Sequence, residues 1–125
     1  MIKNLLLIGS GGFIGSIARY LVSQLNLTVS FHSIPVGTLI VNVAGSFLIG
    51  FLTGIAEKSM IMNPEWRLFL MAGLCGGFTT FSTFTWENLM LMHSGQALTV
   101  LLYTGLSIFL GFLAVYLGYV LTNLL

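Results

Sequence analysis

The chain has 125 residues, 57% hydrophobic and 6% charged, whereas an ordinary soluble domain is about one-quarter charged, so a water-solvated fold is excluded. Mean hydropathy of +1.04 and apolar runs near the roughly 20 residues that cross a bilayer core make lipid the solvent for almost the whole sequence. The net charge of +1 comes with no cluster of Lys and Arg, which removes nucleic acid as a partner.

Hydropathy predicts an all-α, single-domain membrane protein of four spans, at residues 2–25, 36–56, 67–93 and 97–125. The first opens Met1-Ile2-Lys3 and then runs apolar, superficially like a signal peptide. The run continues past Arg19 to Leu25 and the rest of the chain is equally apolar, so an uncleaved span is expected. Arg19 has two readings. It snorkels to the interface, or it attracts anions into a vestibule. A polar break from Asn26 to Pro35 ends in a proline suited to the first turn of the next helix.

In span two, Asn42 carries two amide donors and an acceptor at a depth where an unsatisfied amide is costly. It either bonds a neighbouring helix or turns a donor toward a permeating anion. The second break runs from Glu57-Lys58 through Asn63-Pro64-Glu65 and holds the densest group of charges, three of the chain's seven charged residues. Lys3, Lys58 and Arg67 fall on one side of the membrane, a small bias toward a cytoplasmic N-terminus. So few charges also permit insertion both ways up.

Span three carries the most informative stretch, Gly76-Gly77-Phe78-Thr79-Thr80-Phe81-Ser82-Thr83-Phe84. Two glycines followed by β-branched threonines weaken a helix in mid-membrane. A broken helix is expected, the alternative being a continuous one with Thr and Ser hydroxyls bonded back to its own carbonyls. Non-helical backbone at that depth survives only where protein buries it or a cavity receives it, and its freed carbonyls can hold a cation. Phe81 and Phe84, three residues apart, either pack or present electropositive ring edges to an anion, with Asn42, Ser82 and Thr83 as companion donors. Glu87 is read as structural, a helix-end group or a buried acceptor for a neighbouring helix. Cys75 has no partner cysteine and is read as a small buried apolar residue.

The link His93-Ser94-Gly95-Gln96 is short, so spans three and four are expected to be antiparallel neighbours. Small residues recur at four-residue spacing, Gly11 and Gly15, Ser46, Gly50 and Gly54, Gly73 and Gly77, Ser107 and Gly111. Such ridges let helices approach closely in lipid. Fourteen of the chain's fifteen glycines fall in the four spans, more than an isolated bundle of this size needs, so self-association is expected.

These residues resemble the Fluc (CrcB) fluoride channels over essentially the whole chain. Gly11 to Arg19 with Tyr20, Pro35-Val36-Gly37-Thr38-Leu39 leading to Asn42 and Gly45, and Gly76 to Phe84 with Glu87 carry the likeness. It implies passive fluoride export across the cell membrane (the inner membrane in a Gram-negative source), which lowers cytoplasmic fluoride. It further implies an antiparallel homodimer of dual topology with two pores in lipid. A structural Na+ is implied at the dimer centre, not transported and held by backbone carbonyls at positions matching Gly76 and Thr79. Phe81 and Phe84 match the pore rings, Asn42 the pore amide, Thr83, Tyr103 and Ser107 a hydroxyl track, and Arg19 the vestibule arginine. Thr38 and Glu87 are taken as structural polar residues. One rival is a proton-coupled exporter of the small multidrug type, which needs a membrane carboxylate, and Glu87 is the sole acidic residue within a span. The other is a membrane subunit that transports nothing.

Overall fold

The computed structural model describes residues 1–29, 31–58 and 62–125; Ser30 in the first expected break, and residues 59–61 in the second, lie outside that description. Among the described residues the chain is helical almost throughout, with one isolated bridge between Phe31 and Ile34. Helix α1 (Ile2–Ser23) is followed by the short α2 (Leu25–Thr28), then α3 (Val36–Lys58). A first turn α4 (Pro64–Arg67) passes into a π-helical stretch (Leu68–Cys75) and a last turn α5 (Gly76–Phe78). Helices α6 (Phe81–His93) and α7 (Ala97–Leu121) complete the chain before a closing 3-10 turn. Four stretches are long and apolar enough to cross a membrane, Ile2–Thr28, Val36–Lys58, Pro64–His93 and Ala97–Leu124.

Three edges differ from the hydropathy reading, each for a local reason. Asn26 lies in helix, not in a connecting break, because its amide finds partners on other helices. Span two continues to Lys58, and the Tyr119 hydroxyl donates to Glu57 at 2.6 Å there. Span three starts at Pro64 because Asn63 caps it. The Asn63 side chain accepts from the Trp66 N–H at 2.9 Å, and proline at the first helical position has no N–H to leave unpaired. At the same end Lys3 pairs with Glu65, and the Arg67 guanidinium donates to the Ala56 carbonyl at 3.1 Å.

Two helix pairs build the bundle, and glycine sets the separation in each. Helix α3 lies along α7, while α1 lies along the π-helical stretch and α5. A Cβ on Gly118 would strike the Phe47 carbonyl and come within 2.9 Å of the Phe51 N, and one on Gly50 would strike the Val115 carbonyl. In the other pair, a Cβ on Gly15 would strike the Leu74 carbonyl, and one on Gly77 would lie 2.7 Å from the Gly12 carbonyl. The ridges at Gly11 and Gly15, at Gly73 and Gly77, and at Gly50 are therefore backbone-to-backbone contacts, whereas Gly54 meets the Thr122 side chain and Gly111 only Ser46 Oγ at 3.7 Å. Gly118→Val is expected to lower the thermal unfolding midpoint in detergent micelles by at least the equivalent of about 2 kcal/mol, because backbone cannot move aside as a side chain can. Gly9→Ala, where a Cβ meets nothing within 4 Å, is expected to leave that midpoint unchanged or raised.

Candidate functional site

Span three leaves helical geometry at Thr79 (φ −78°, ψ 156°) and Thr80 (φ −149°, ψ 118°). In an uninterrupted helix the Thr80 N–H would donate to the Gly76 carbonyl, and the Thr83 N–H to that of Thr79. Here the Thr80 N–H donates instead to Asn42 Oδ1 at 2.8 Å, and the Thr83 N–H to Thr80 Oγ1 at 3.2 Å. Asn42 Nδ2 donates back to the Thr80 carbonyl at 3.1 Å. One side chain thus satisfies both backbone groups of Thr80, and the carbonyls of Gly76 and Thr79 lose their helical donors.

Neighbouring groups complete the segment. Thr79 sends both its N–H and its hydroxyl to the Cys75 carbonyl, each at 3.0 Å. The Arg19 Nε donates at 3.0 Å to the Gly77 carbonyl, placing a cation at the C-terminal end of α5, where final-turn carbonyls otherwise lack partners. Gly45 admits the segment to α3, since a Cβ there would strike Thr79 Cγ2. The π-helical stretch ends at the same place, with the Gly76 N–H bonded to the Met71 carbonyl among others.

A recess of about 490 Å³ opens beside this segment and is lined by Asn42, Gly76, Thr79, Phe81, Phe84 and Ser107 among others. The two phenylalanine rings stand 6.1 Å apart at 40°. Phe81 is 76% exposed at the mouth. Ser107 Oγ is buried with no hydrogen-bond partner among the described residues, and Asn42 Nδ2 retains a second N–H beyond the one used on Thr80. The recess is therefore lined by two donor-bearing residues and two aromatic rings. Among the described residues no three His, Cys, Asp or Glu side chains gather as metal ligands, so a cation here would be held by carbonyl oxygen, the ligand of hard cations. The Gly76 and Thr79 carbonyls, whose helical donors are engaged elsewhere, are oxygens of that kind.

Other residues singled out from the sequence lie elsewhere. Ser82 is exposed and Thr83 half-buried, and neither lines the recess. Thr38, Glu87 and Tyr103 meet in a second cluster. The Tyr103 hydroxyl donates to Glu87 Oε1 at 2.8 Å, and Thr38 Oγ1 donates to Oε2 at 2.8 Å. Tyr103 and Thr38 are both fully buried, and the Tyr103 ring lies 5.0 Å from that of Phe84, linking this cluster to the recess. Asn26, which sequence reasoning passed over, joins it through Nδ2 donated to Thr38 Oγ1 at 3.1 Å and Glu87 Oε2 at 3.3 Å.

The sequence profile described as "CrcB-like protein, Camphor Resistance (CrcB)" matches residues 6–119. The chain belongs to the CrcB-like family. Its four apolar helices and that membership make it a multi-pass membrane protein. CrcB-like relatives agree over nearly full length. A protein of Chlorobium luteolum named fluoride-specific ion channel FluC is 48% identical over 92% of this chain and 88% of its own. Proteins of the same name from Azobacteroides pseudotrichonymphae and Rhizobium meliloti are 42% and 45% identical, the first over 98% of both chains and the second over 93% of both.

Asn42→Ala removes both partners of the half-buried Thr80 backbone. A loss of about 1–3 kcal/mol for each stranded backbone group is expected, read as a lowered unfolding midpoint in micelles. Asn42→Asp keeps the acceptor but turns a carboxylate oxygen toward the Thr80 carbonyl, so at neutral pH its midpoint is likewise expected to fall below the parent's.

Proposed function

We propose that this chain is a fluoride-selective channel that passively exports fluoride and so lowers its cytoplasmic concentration. The observation that carries the reading is the likeness to proteins named fluoride-specific ion channels over nearly the full length of both chains. The chain is a channel and not an enzyme. The rival proton-coupled exporter has no support among these relatives, and its required carboxylate, Glu87, is bonded by Tyr103, Thr38 and Asn26.

Fluoride is small and strongly hydrated, so lost water must be replaced by several donors at once, each weak enough for release. The second N–H of Asn42, the Ser107 hydroxyl and the edges of Phe81 and Phe84 supply such a series along the recess. Ser82 and Thr83 extend the path on the family likeness, whereas the Tyr103 hydroxyl is committed to Glu87. Arg19 uses Nε on Gly77, and its remaining guanidinium N–H groups serve the vestibule.

In this proposal the working unit is an antiparallel homodimer in the cell membrane, with the Thr79–Thr80 interruption of span three at membrane depth and two pores. Support comes from the open recess and from Phe81, an aromatic ring left 76% exposed beside it, both of which a second copy would cover. Na+ at the dimer centre would be held by the Gly76 and Thr79 carbonyls of both copies. It supplies a fixed positive charge that ties the two interruptions together and is not transported.

Liposomes loaded with fluoride or chloride and containing the purified chain test the reading. Fluoride is expected to leave rapidly and chloride to stay, whereas equal leakage, or none, would refute it. In the same assay Phe81→Ile and Phe84→Ile are each expected to slow fluoride while the dimer stays intact on size-exclusion chromatography; unchanged flux in both removes the ring edges from the mechanism. Purification with a larger monovalent cation in place of Na+ is expected to impair flux, and indifference to that exchange would eliminate the carbonyl site.

A further inference from the structure

Asn26 is held in one orientation by groups that can only donate. Its Oδ1 accepts from the Gly37 N–H at 2.6 Å and the Thr38 N–H at 3.3 Å, in the first turn of α3, where backbone N–H groups have no intrahelical acceptor. Gly37 makes the approach possible, because a Cβ there would lie 2.8 Å from the Val22 carbonyl and 3.0 Å from Asn26 Oδ1. With the oxygen so fixed, Nδ2 must face the other way, toward Thr38 Oγ1 and Glu87 Oε2. The consequence passes to Thr38. Its hydroxyl, already accepting from Nδ2, directs its single proton to Glu87 Oε2 at 2.8 Å. Oε2 then receives two donors, and any proton taken up by Glu87 has to sit on Oε1, toward Tyr103.

We propose that Asn26 is a positioning residue that sets the donor and acceptor polarity of the Asn26–Thr38–Glu87–Tyr103 network and, through Tyr103, the seating of Phe84 in the recess. The network takes one group from each of the four spans, so it fixes their mutual register at this end of the bundle. The groups facing Glu87 are Asn26 from span one, Thr38 from span two and Tyr103 from span four. Tyr103 alone of these titrates, and among the described residues no Lys, Arg or His forms a salt bridge to Glu87. The transport half of the proposal rests on the fluoride-channel reading; the polarity half does not.

The test separates capping from positioning. Asn26→Asp keeps an oxygen for the Gly37 and Thr38 N–H groups but sets a second carboxylate against Glu87 Oε2. Near about pH 6 the two carboxylates can share a proton, which stands in for the lost amide donor; near about pH 8.5 both ionise and repel. Thermal unfolding in micelles and fluoride efflux from liposomes, corrected for protein-free vesicles, are measured at both pH values for the parent, Asn26→Asp, and the double variant Asn26→Asp/Glu87→Gln. Relative to the parent, Asn26→Asp is expected to lose about tenfold in efflux between the lower and the higher pH, as one like-charge contact implies, with a parallel fall in unfolding midpoint. The double variant, whose amide at position 87 restores a donor facing a carboxylate at position 26, is expected to lose the pH dependence in both measurements. An Asn26→Asp variant that follows the parent at both pH values, or a double variant as pH-sensitive as the single, would overturn the proposal and leave Asn26 a cap. If the parent itself moves no fluoride, the channel reading fails, and the unfolding arm still decides the polarity of the network.

Discussion

The reciprocal bond between the Asn42 amide and the backbone of Thr80 is the interaction on which the site depends. Hydrocarbon offers no water to a backbone that leaves its helix, and each stranded N–H or C=O there costs several kcal/mol. Two extended residues in a membrane span are therefore tolerable only if something else completes their hydrogen bonds. Asn42 does so for Thr80 from α3, and Thr80 in turn caps α6 through its own hydroxyl. The local solution has an effect at a distance of four residues, because the N–H groups it engages are the ones the Gly76 and Thr79 carbonyls would have used. Satisfying one set of groups leaves another without its helical donors, in residues that line the recess.

Around that bond the packing is divided. Spans two and four touch backbone to backbone at Gly50 and Gly118, and span one meets span three in the same way at Gly15 and Gly77. Among the described residues, the side-chain hydrogen bonds that cross between the two pairs include Asn42 to Thr80, Tyr103 and Thr38 to Glu87, Asn26 to α3, and Arg67 to the Ala56 carbonyl. Apolar contact sets the distance within a pair, and polar contact sets the register between pairs. This suits lipid, in which burial of apolar surface does little to hold helices together and directed bonds decide how they sit.

Much of this was legible in the sequence, and the limits are physical. The four spans followed from hydropathy because lipid imposes a length on each, and the glycine spacing read directly as helix contact. Asn42 was identified as an expensive amide with two readings left open; the structure gives it a helix partner and still leaves a second N–H toward the recess. Arg19 was placed near its span end, but its bond to the Gly77 carbonyl depends on which helix lies beside α1, which no local pattern records. Glu87 was read as structural, and it is the acceptor at the centre of a four-span network. Asn26 carried no signal. Its partners Gly37 and Glu87 lie 11 and 61 positions away, and an amide at the end of an apolar run looks like the start of a loop until tertiary packing supplies acceptors and donors.

Glycine-on-backbone contact divides the bundle into two kinds of joint. Where Gly50 meets Val115, Gly118 meets Phe47 and Gly15 meets Leu74, backbone lies directly on backbone within a pair. Between the pairs, side-chain bonds to Thr80, Glu87, Gly37 and Ala56 form a seam. The recess lies along that seam, lined from α3, span three and α7. The cavity that presents Asn42, Phe81 and Phe84 is thus bounded by both helix pairs and enclosed by neither alone.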